Sequence, residues 1–461
     1  MTMLEKLLLP EIRELIAERD ADTLRDVLNR WEPADLGMLF DDLSSEEDLV
    51  AFQCLDAPRA ARAFEYLEWS VQEQLSRLLP EPDLRFILNE LSPDDRTAFL
   101  SGFGPEDIER LLTLLTPENQ RVARSLLAYG EGTVGRLMTP DLIAVREEWT
   151  ITDVLKHVRA VGRDSESLNA VYVLDDSHHL IDDIRMREIL LAPPDAQVRS
   201  LMNGQFVALR VTDAETTAVE LFRKYDRSVL PVVDSKGVLV GVVTVDDVLD
   251  VQEETATREA QRFGGLEALD EPYIATPVGT LVRKRATWLV ILFVGELLTA
   301  TAMGFFEEEI EKAVVLALFV PLIISSGGNS GSQAATLIVR ALAVGEIALR
   351  DWKLVLKREL FSGLLLGLVL GMIGFARIAL WSSFSSVYGP HWPLIGLTVA
   401  ISLVGIVLWG TLSGSMLPFL IKRCGLDPAT SSAPFVATLV DVTGLVIYFS
   451  VALLFLRGTL L

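Results

Sequence analysis

The sequence predicts a mainly helical protein in which a soluble, acidic half precedes a membrane half. Residues 1–275 hold 28 Lys and Arg against 54 Asp and Glu, a net charge of 28 − 54 = −26, whereas residues 276–461 carry 13 − 10 = +3. Five apolar runs in the second half are each long enough to cross a bilayer. A duplicated segment in the first half adds short strands to the helices. We expect four regions: a helical domain at 1–130, a duplicated α+β module at 131–250, a connecting helix at 251–276 and a transmembrane domain at 277–461.

Regularly spaced prolines predict short helices in the first region. Pro80, Pro93, Pro105 and Pro117 lie 13, 12 and 12 residues apart. The last three follow Ser, Gly or Thr and precede an acid, and this combination is typical of a helix start. Helices this short gain stability by stacking into a superhelical array, although an irregular bundle fits the same pattern.

Composition limits the classes of partner. A sequence pI near 4.7 argues against nucleic-acid binding, which selects basic surfaces. Two cysteines, Cys54 and Cys424, are too few for a disulfide framework and agree with a reducing cytosol. Strong acidity suits either a solvated surface or one that recruits divalent cations.

The second region contains a repeat. Residues 138–140 (Met-Thr-Pro) recur as 202–204 (Met-Asn-Gly), and 171–176 recur as 230–235. Each copy predicts a helix, a β-hairpin and a further helix, and the whole resembles a tandem CBS pair. The first hairpin turn holds His178 and His179, a pair more typical of a solvated turn than of a metal site.

Five spans are predicted at about 288–306, 314–337, 360–381, 394–420 and 433–456. Basic residues cluster before span one, between spans two and three, and between spans four and five. These segments are therefore predicted to be cytoplasmic, with the N-terminus inside and the C-terminus outside the plasma membrane.

Asp441 is the only charged residue in span five. A charge at membrane depth costs about 2.5–3.5 kcal/mol on insertion scales and is usually kept where it faces water, an ion or a partner. Asp441 is therefore predicted to be a cation site in a pore, and the alternative is a protonated Asp hydrogen-bonded between helices. Glu296 in span one lacks a Gly/Asn context, so we expect it to contact basic residues on the cytoplasmic side or to form an interhelical hydrogen bond.

Span two contains the polar, glycine-rich run 327–333 (Gly-Gly-Asn-Ser-Gly-Ser-Gln), which implies a broken or tightly packed helix lining a cavity. With 350–352 (Arg-Asp-Trp), 416–419 (Met-Leu-Pro-Phe) and 437–444 (Ala-Thr-Leu-Val-Asp-Val-Thr-Gly), this run resembles the MgtE family of magnesium transporters and channels. The resemblance covers the whole chain. It implies a homodimer built from a helical superhelix, a CBS pair and a five-helix membrane domain.

The resemblance also implies site residues. Asp441 matches the pore carboxylate, and Gly328, Asn329 and Ala437 are candidates for its surroundings, where hydrated Mg²⁺ would bind through its waters. Cytoplasmic Mg²⁺ would close the pore by bridging acids, for which the candidates are Asp94, Asp226, Asp246, Asp247, Asp250, Asp427, Glu254 and Glu259. Ala98, Thr255 and Arg258 depart from the family's acidic pattern, which should weaken magnesium sensing.

Tyr172 and Arg187 resemble the adenine-nucleotide contacts of the family's CBS cleft, so ATP is a second candidate ligand. A membrane enzyme is disfavoured because the membrane half has no Cys/His pair and no P-loop. An anion channel would need basic residues at the site. The remaining alternative is a carrier of Co²⁺, Mn²⁺ or Zn²⁺, because selectivity among divalent ions depends on cavity size and hydration.

Overall fold

The structure is a computed structural model that describes residues 3–40, 42–163, 165–269, 273, 276–385, 387–430 and 432–460. Its contacts divide the chain into two compact units, residues 1–254 and 255–461. The first unit holds the helical and CBS regions, and the second holds the spans.

Ten helices precede the CBS region: α1 (Met3–Glu18), α2 (Ala21–Leu28), α3 (Pro33–Phe40), α4 (Ser45–Gln53), α5 (Ala57–Glu65), α6 (Trp69–Leu78), α7 (Glu81–Glu90), α8 (Pro93–Ser101), α9 (Pro105–Leu112) and α10 (Pro117–Leu127). The predicted helix starts at Pro93, Pro105 and Pro117 are confirmed. The Ser92 side chain accepts a hydrogen bond from the Asp95 amide, and the Thr116 side chain accepts one from the Asn119 amide.

Helices two positions apart pack together, α3 on α5, α5 on α7, α4 on α6 and α8 on α10. A chain of aromatic rings runs through this core, with centroid distances of 5.8, 6.2, 5.3 and 5.0 Å along Phe40, Phe52, Phe64, Phe99 and Phe103. This repeated packing favours the stacked array over the irregular bundle.

The CBS region comprises α11 (Val134–Leu137), β1 (Ala144–Arg146), α12 (Ile151–Val161), β2 (Ala170–Leu174), β3 (Leu180–Arg185), α13 (Met186–Leu191), a short 3₁₀ helix (Val198–Ser200), β4 (Leu209–Arg210), α14 (Glu215–Tyr225), β5 (Val229–Val233), β6 (Leu239–Thr244) and α15 (Val245–Phe263). Each copy forms a three-stranded sheet, β1-β2-β3 or β4-β5-β6, with one parallel and one antiparallel pair. The predicted duplication is therefore confirmed in the topology. A bridge between His179 and Val238 pairs the two hairpin turns.

The connecting helix has other bounds than the sequence predicts. Helix α15 starts at Val245, directly after β6, and ends at Phe263 instead of continuing to 276. Gly265 (φ +75°) ends it, because a left-handed glycine after the last turn lets the Leu266 amide bond back to the Gln261 carbonyl at 3.3 Å. Residues 264–269 are not helical, and residues 270–272, 274 and 275 lie outside the described part of the chain.

The second unit contains α16 (Val278–Phe305), α17 (Glu307–Lys312), α18 (Val314–Ala317), α19 (Val320–Ala343), a 3₁₀ turn (Leu349–Asp351), α20 (Trp352–Ser382), α21 (Trp392–Arg423), a second 3₁₀ turn (Pro428–Thr430) and α22 (Ala433–Leu456). Among the described residues, five segments are long and apolar enough to cross a membrane, which confirms the predicted number of spans. Helix α21 packs against α19, α20 and α22, whereas α16 packs chiefly on α22.

Candidate functional site

Asp441 lies half-buried near the middle of α22, where the glycine-rich helix α19 passes it. A Cβ atom added to Gly328 would be 3.4 Å from the Ala437 Cβ and 3.6 Å from the Asp441 Oδ1. Gly328, Ala437 and Asp441 are therefore brought together as the sequence predicted. Because Gly328 has no side chain, the carboxylate faces helix backbone and open space instead of an apolar group.

Glycines also explain why α19 can sit so deep in the unit. Gly327 and Gly331 on α19 meet Gly410 and Gly414 on α21, and a Cβ on either α21 glycine would overlap an α19 carbonyl oxygen. Glycines four residues apart on two facing helices allow backbones to approach closely in a membrane. This contact fixes the position of α19, and with it the position of Gly328.

The glycine-rich run lies within unbroken helix, so of the two expectations for it the tightly packed helix is correct and the broken helix is wrong. Its polar side chains divide between two faces. Ser330 is buried and its hydroxyl lies 2.7 Å from the Thr411 hydroxyl on α21. Asn329 is exposed on the opposite face and donates to Ser325 Oγ at 3.3 Å. The exposed amide can therefore contact a hydrated ion.

Glu296 does not have the surroundings that the sequence predicted. It lies exposed on α16, and no hydrogen bond or ion pair engages it within the described residues. Its neighbour Gly295 packs on α22, where an added Cβ would be 3.0 Å from Thr438 Cγ2. The charge of Glu296 acts on Asp441, not on the cytoplasmic basic residues.

A second acidic cluster, which we call the cytoplasmic acid cluster, lies in the first unit and includes Asp94, Asp246, Asp247 and Asp250. Asp94, on α8, is only 7% exposed, and its Oδ1 has no hydrogen-bond partner. Burial, followed by the charge of Asp94, raises the pKa of Asp247 to about 8, even though Thr244 donates to its Oδ2 at 2.6 Å. Burial also raises the pKa of Asp94 and of Asp250, and the charge of Asp246 adds to both shifts.

Three further acids join this cluster although the sequence did not single them out. Burial and the charges of neighbouring acids raise the pKa of Glu65 to about 7, of Asp95 to about 6 and of Glu166 to about 7. Glu65 ends α5 and Glu166 follows α12, so only the tertiary fold brings them to Asp94. Asp95 adjoins a predicted residue, and a search for acids next to helix caps could have found it.

The cluster has the chemistry of a divalent-cation site but not a closed one. In the described parts of the chain, no group of three His, Cys, Asp or Glu side chains converges closely enough to hold a metal ion. Carboxylate oxygens are nevertheless the donors that Mg²⁺ prefers, and Mg²⁺ commonly binds through retained waters. The buried, unpartnered oxygen of Asp94 supplies a donor that water-mediated binding would satisfy.

The remaining predicted regulatory acids lie elsewhere. Asp226 ends α14 with φ +50° and lines a cavity of about 330 Å³ between the CBS copies, together with Arg187. Asp427, in the second unit, accepts a hydrogen bond from Arg262 at 2.9 Å, so it already has a cationic partner. Glu254 and Glu259 are exposed on α15.

The nucleotide expectation is met for one residue and not for the other. Arg187 lines the cleft cavity with Arg185 and Arg227, so the cavity is cationic. Tyr172 is only 2% exposed, its hydroxyl has no partner, and it packs in the apolar core shared by the two sheets. Stacking of Tyr172 on a base would require the side chain to leave that core.

Comparison with known proteins gives one consistent result along the chain. Family models match as the MgtE intracellular N domain at residues 31–132, as CBS domains at 134–195 and 198–254, and as a divalent cation transporter, MgtE, at 320–451. The magnesium transporter MgtE of Thermus thermophilus is 40% identical over 458 residues, which cover 99% of this chain and 100% of the relative. The magnesium transporter MgtE of Bacillus subtilis is 25% identical, with 97% of each chain covered.

Solved structures extend the likeness to the fold of the first unit. The crystal structure of the cytosolic domain of the Mg²⁺ channel MgtE in complex with ATP matches with a TM-score of 0.51 and 37% identity, over 53% of this chain and all of that one. The soluble part of a magnesium transporter matches with a TM-score of 0.50 and 22% identity, over 55% of this chain and 99% of that one, and shares the fold.

Proposed function

The chain belongs to the MgtE family of magnesium transporters, and from this premise we propose that Asp441 binds the Mg²⁺ ion that the protein carries across the membrane. The observation that carries the proposal is the packing of Gly328 and Ala437 around the Asp441 carboxylate. An acid at membrane depth, with backbone and open space beside it, suits a hydrated cation better than an apolar contact.

Mg²⁺ holds its six waters tightly, so we infer that the carboxylate binds the ion through them. Asn329, which is exposed on the same helix as Gly328, adds an amide that can bond to such waters. A second copy of the chain would supply a second Asp441 across a two-fold axis. The homodimer and the inward orientation of the N-terminus are part of this proposal.

We further infer that cytoplasmic Mg²⁺ regulates the transporter through the cytoplasmic acid cluster. Acids from α8 and α15 repel one another when they are ionised, as the raised pKa of Asp247 indicates. A divalent cation would offset that repulsion and hold the helical and CBS regions together. Release of the ion would loosen them, and α15, whose sequence continues into the second unit, would transmit the change.

ATP is a candidate ligand of the CBS cleft. The support is the cationic cavity with Arg187 and the likeness to a cytosolic domain that was crystallised with ATP. The buried position of Tyr172 argues that base binding here would use other side chains.

The experiment that tests the pore assignment is Mg²⁺ uptake into proteoliposomes by Asp441→Asn. This variant keeps the shape of the side chain and removes its charge, so we expect uptake to fall about 100-fold or more, because the desolvated ion loses its only counter-charge on α22. Asp351→Asn, which removes an acid from the turn before α20, is the matched control and should transport normally. Normal Mg²⁺ uptake by Asp441→Asn would overturn the assignment.

A further inference from the structure

Helix α16 meets α22 along one face, and that face lies at the depth of Asp441. Gly295, Thr299 and Ala302 follow one another at spacings of four and three, which place them on one side of a helix. Gly295 contacts Thr438, the Thr299 hydroxyl is buried without a partner, and Ala302 packs on the apolar core of the unit. Thr438 lies one turn before Asp441 on α22, so this face leads directly to the pore carboxylate.

Glu296 flanks this face. It is one residue beyond Gly295, which turns it about 100° around the helix axis, toward the exposed side of the groove between α16 and α22. The basic side chains of the spans are engaged elsewhere: Lys284 donates to the Ala268 carbonyl, and Arg377 stacks on the Trp381 ring at 4.3 Å. Within the described residues, Asp441 is the ionisable group with which Glu296 interacts electrostatically.

Two acids at this depth need a positive charge or water. A carboxylate that faces lipid costs about 2.5–3.5 kcal/mol on insertion scales, and a like charge beside it adds repulsion. One Asp and one Glu supply two negative charges, which equal the charge of one Mg²⁺ ion. Because Mg²⁺ binds through its waters, the two carboxylates can share it without touching.

We propose that Glu296 is a second cation-binding residue of the transport path, which acts beside Asp441 and sets the affinity for Mg²⁺. This inference rests on the proposed role of Asp441. It assigns different effects to the two acids. Asp441 is required for transport at any Mg²⁺ concentration, whereas Glu296 lowers the concentration at which transport is half-maximal.

The test measures the Mg²⁺ dependence of uptake into proteoliposomes. Glu296→Gln should raise the half-saturating Mg²⁺ concentration about tenfold while the maximal rate changes less, because one of two attractive charges is lost. Glu296→Asp keeps the charge and should stay within about threefold of the wild type. Glu307→Gln, which removes an acid just beyond the outer end of α16, is the matched control and should leave the half-saturating concentration unchanged.

The outcomes separate this inference from the pore assignment. If Asp441→Asn abolishes uptake while Glu296→Gln saturates at the wild-type Mg²⁺ concentration, Glu296 has no role in binding and the pore assignment stands. If Asp441→Asn transports normally, both proposals are wrong. A tenfold shift that Glu296→Asp fails to reverse would also overturn the role of Glu296, because a binding role depends on the charge.

A chemical variant covers the case in which Glu296→Gln does not fold. Glu296→Cys is combined with Cys424→Ser, which removes the exposed native thiol and leaves only the buried Cys54. A sulfonate-bearing thiosulfonate reagent should restore the Mg²⁺ affinity of this protein, and an ammonium-bearing one should lower it further. Equal effects of the two reagents, or no reaction with either, would contradict a charged role in an aqueous path.

Discussion

Gly328 is the residue through which the α19 backbone approaches Asp441. An added methyl group would make ordinary contacts, 3.4 Å from Ala437 Cβ and 3.6 Å from Asp441 Oδ1, so the fold can accept it. It would, however, occupy the space in which waters of a hydrated ion contact the carboxylate.

We therefore expect Gly328→Ala to be as stable as the wild type or more stable, since Ala exceeds Gly in helix propensity by about 1 kcal/mol. Its Mg²⁺ uptake should fall roughly threefold to tenfold because the methyl group displaces bridging water. The control is Gly304→Ala, where an added Cβ would have no neighbour within 4 Å. Equal uptake by the two variants would show that Gly328 does not face the ion.

At this scale the sequence predicted the pore better than the regulatory site. Asp441 stood out because a lone acid in an apolar run is costly wherever the chain folds. Glu65 and Glu166 could not be found in the same way, since each is an unremarkable surface acid until the tertiary structure places it beside Asp94. Glu296 was found, but its partner was predicted wrongly because packing, and not local composition, decides which helix α16 meets.

Among the elements, α21 is the helix on which the spans are assembled. Glycines face it from both sides: Gly327 and Gly331 from α19, and Gly367 and Gly371 from α20. In lipid, helices gain little from hydrophobic burial, so close backbone contact contributes most of their association.

We expect Gly414→Ala to destabilise the membrane domain by about 1–3 kcal/mol, because its methyl group would overlap the Gly331 carbonyl and force the two helices apart. The thermal unfolding midpoint of the detergent-solubilised protein reports the change. Gly405→Ala on the same helix is the control, because its Cβ would lie 3.4 Å from Ile447 Cγ2, an ordinary contact. If the two variants unfold at the same temperature, the glycine crossing does not hold α19 in place.

Helix boundaries were predictable where local chemistry sets them. Caps followed by proline gave the starts of α8, α9 and α10, and span five coincides with α22. The connecting helix was placed too far along the chain because its end depends on one left-handed glycine, Gly265, in a run that is otherwise compatible with helix.

For the whole molecule, the acidic sequence of the first 275 residues makes folding sensitive to pH. Glu65, Asp95, Glu166 and Asp247 have pKa values of about 6 to 8 in the folded chain, against 3.8 or 4.5 for the unperturbed groups. Because the folded state holds these protons more tightly than the unfolded chain, stability is greatest below about pH 4 with respect to these groups and falls as the pH rises toward 8. Acids with lowered pKa values, such as Asp153 and Asp234, act in the opposite sense and only in more acidic solution.

In the absence of Mg²⁺, the thermal midpoint of the full-length protein should therefore fall between pH 5 and pH 8.5. Mg²⁺ added at pH 8.5 should restore much of the loss, and the same ionic strength of Na⁺ should restore less, because a divalent ion can bridge two acids. Asp247→Asn should flatten both responses, whereas Asp107→Asn, at an exposed position, should not. A midpoint that is independent of pH and of Mg²⁺ would contradict regulation through this cluster.

The packing of α16 on α22 has a consequence for biosynthesis. The first of the five spans to leave the ribosome has the last as its main partner, and 127 residues separate Phe305 from Ala433. At about 5–20 residues per second, this interval lasts roughly 6–25 s. During that time Glu296 has no Asp441 beside it, and a nascent chain with three or four inserted helices holds only half of the acidic pair. Unfinished chains are thus spared a premature ion leak, because the last helix to be translated completes the path.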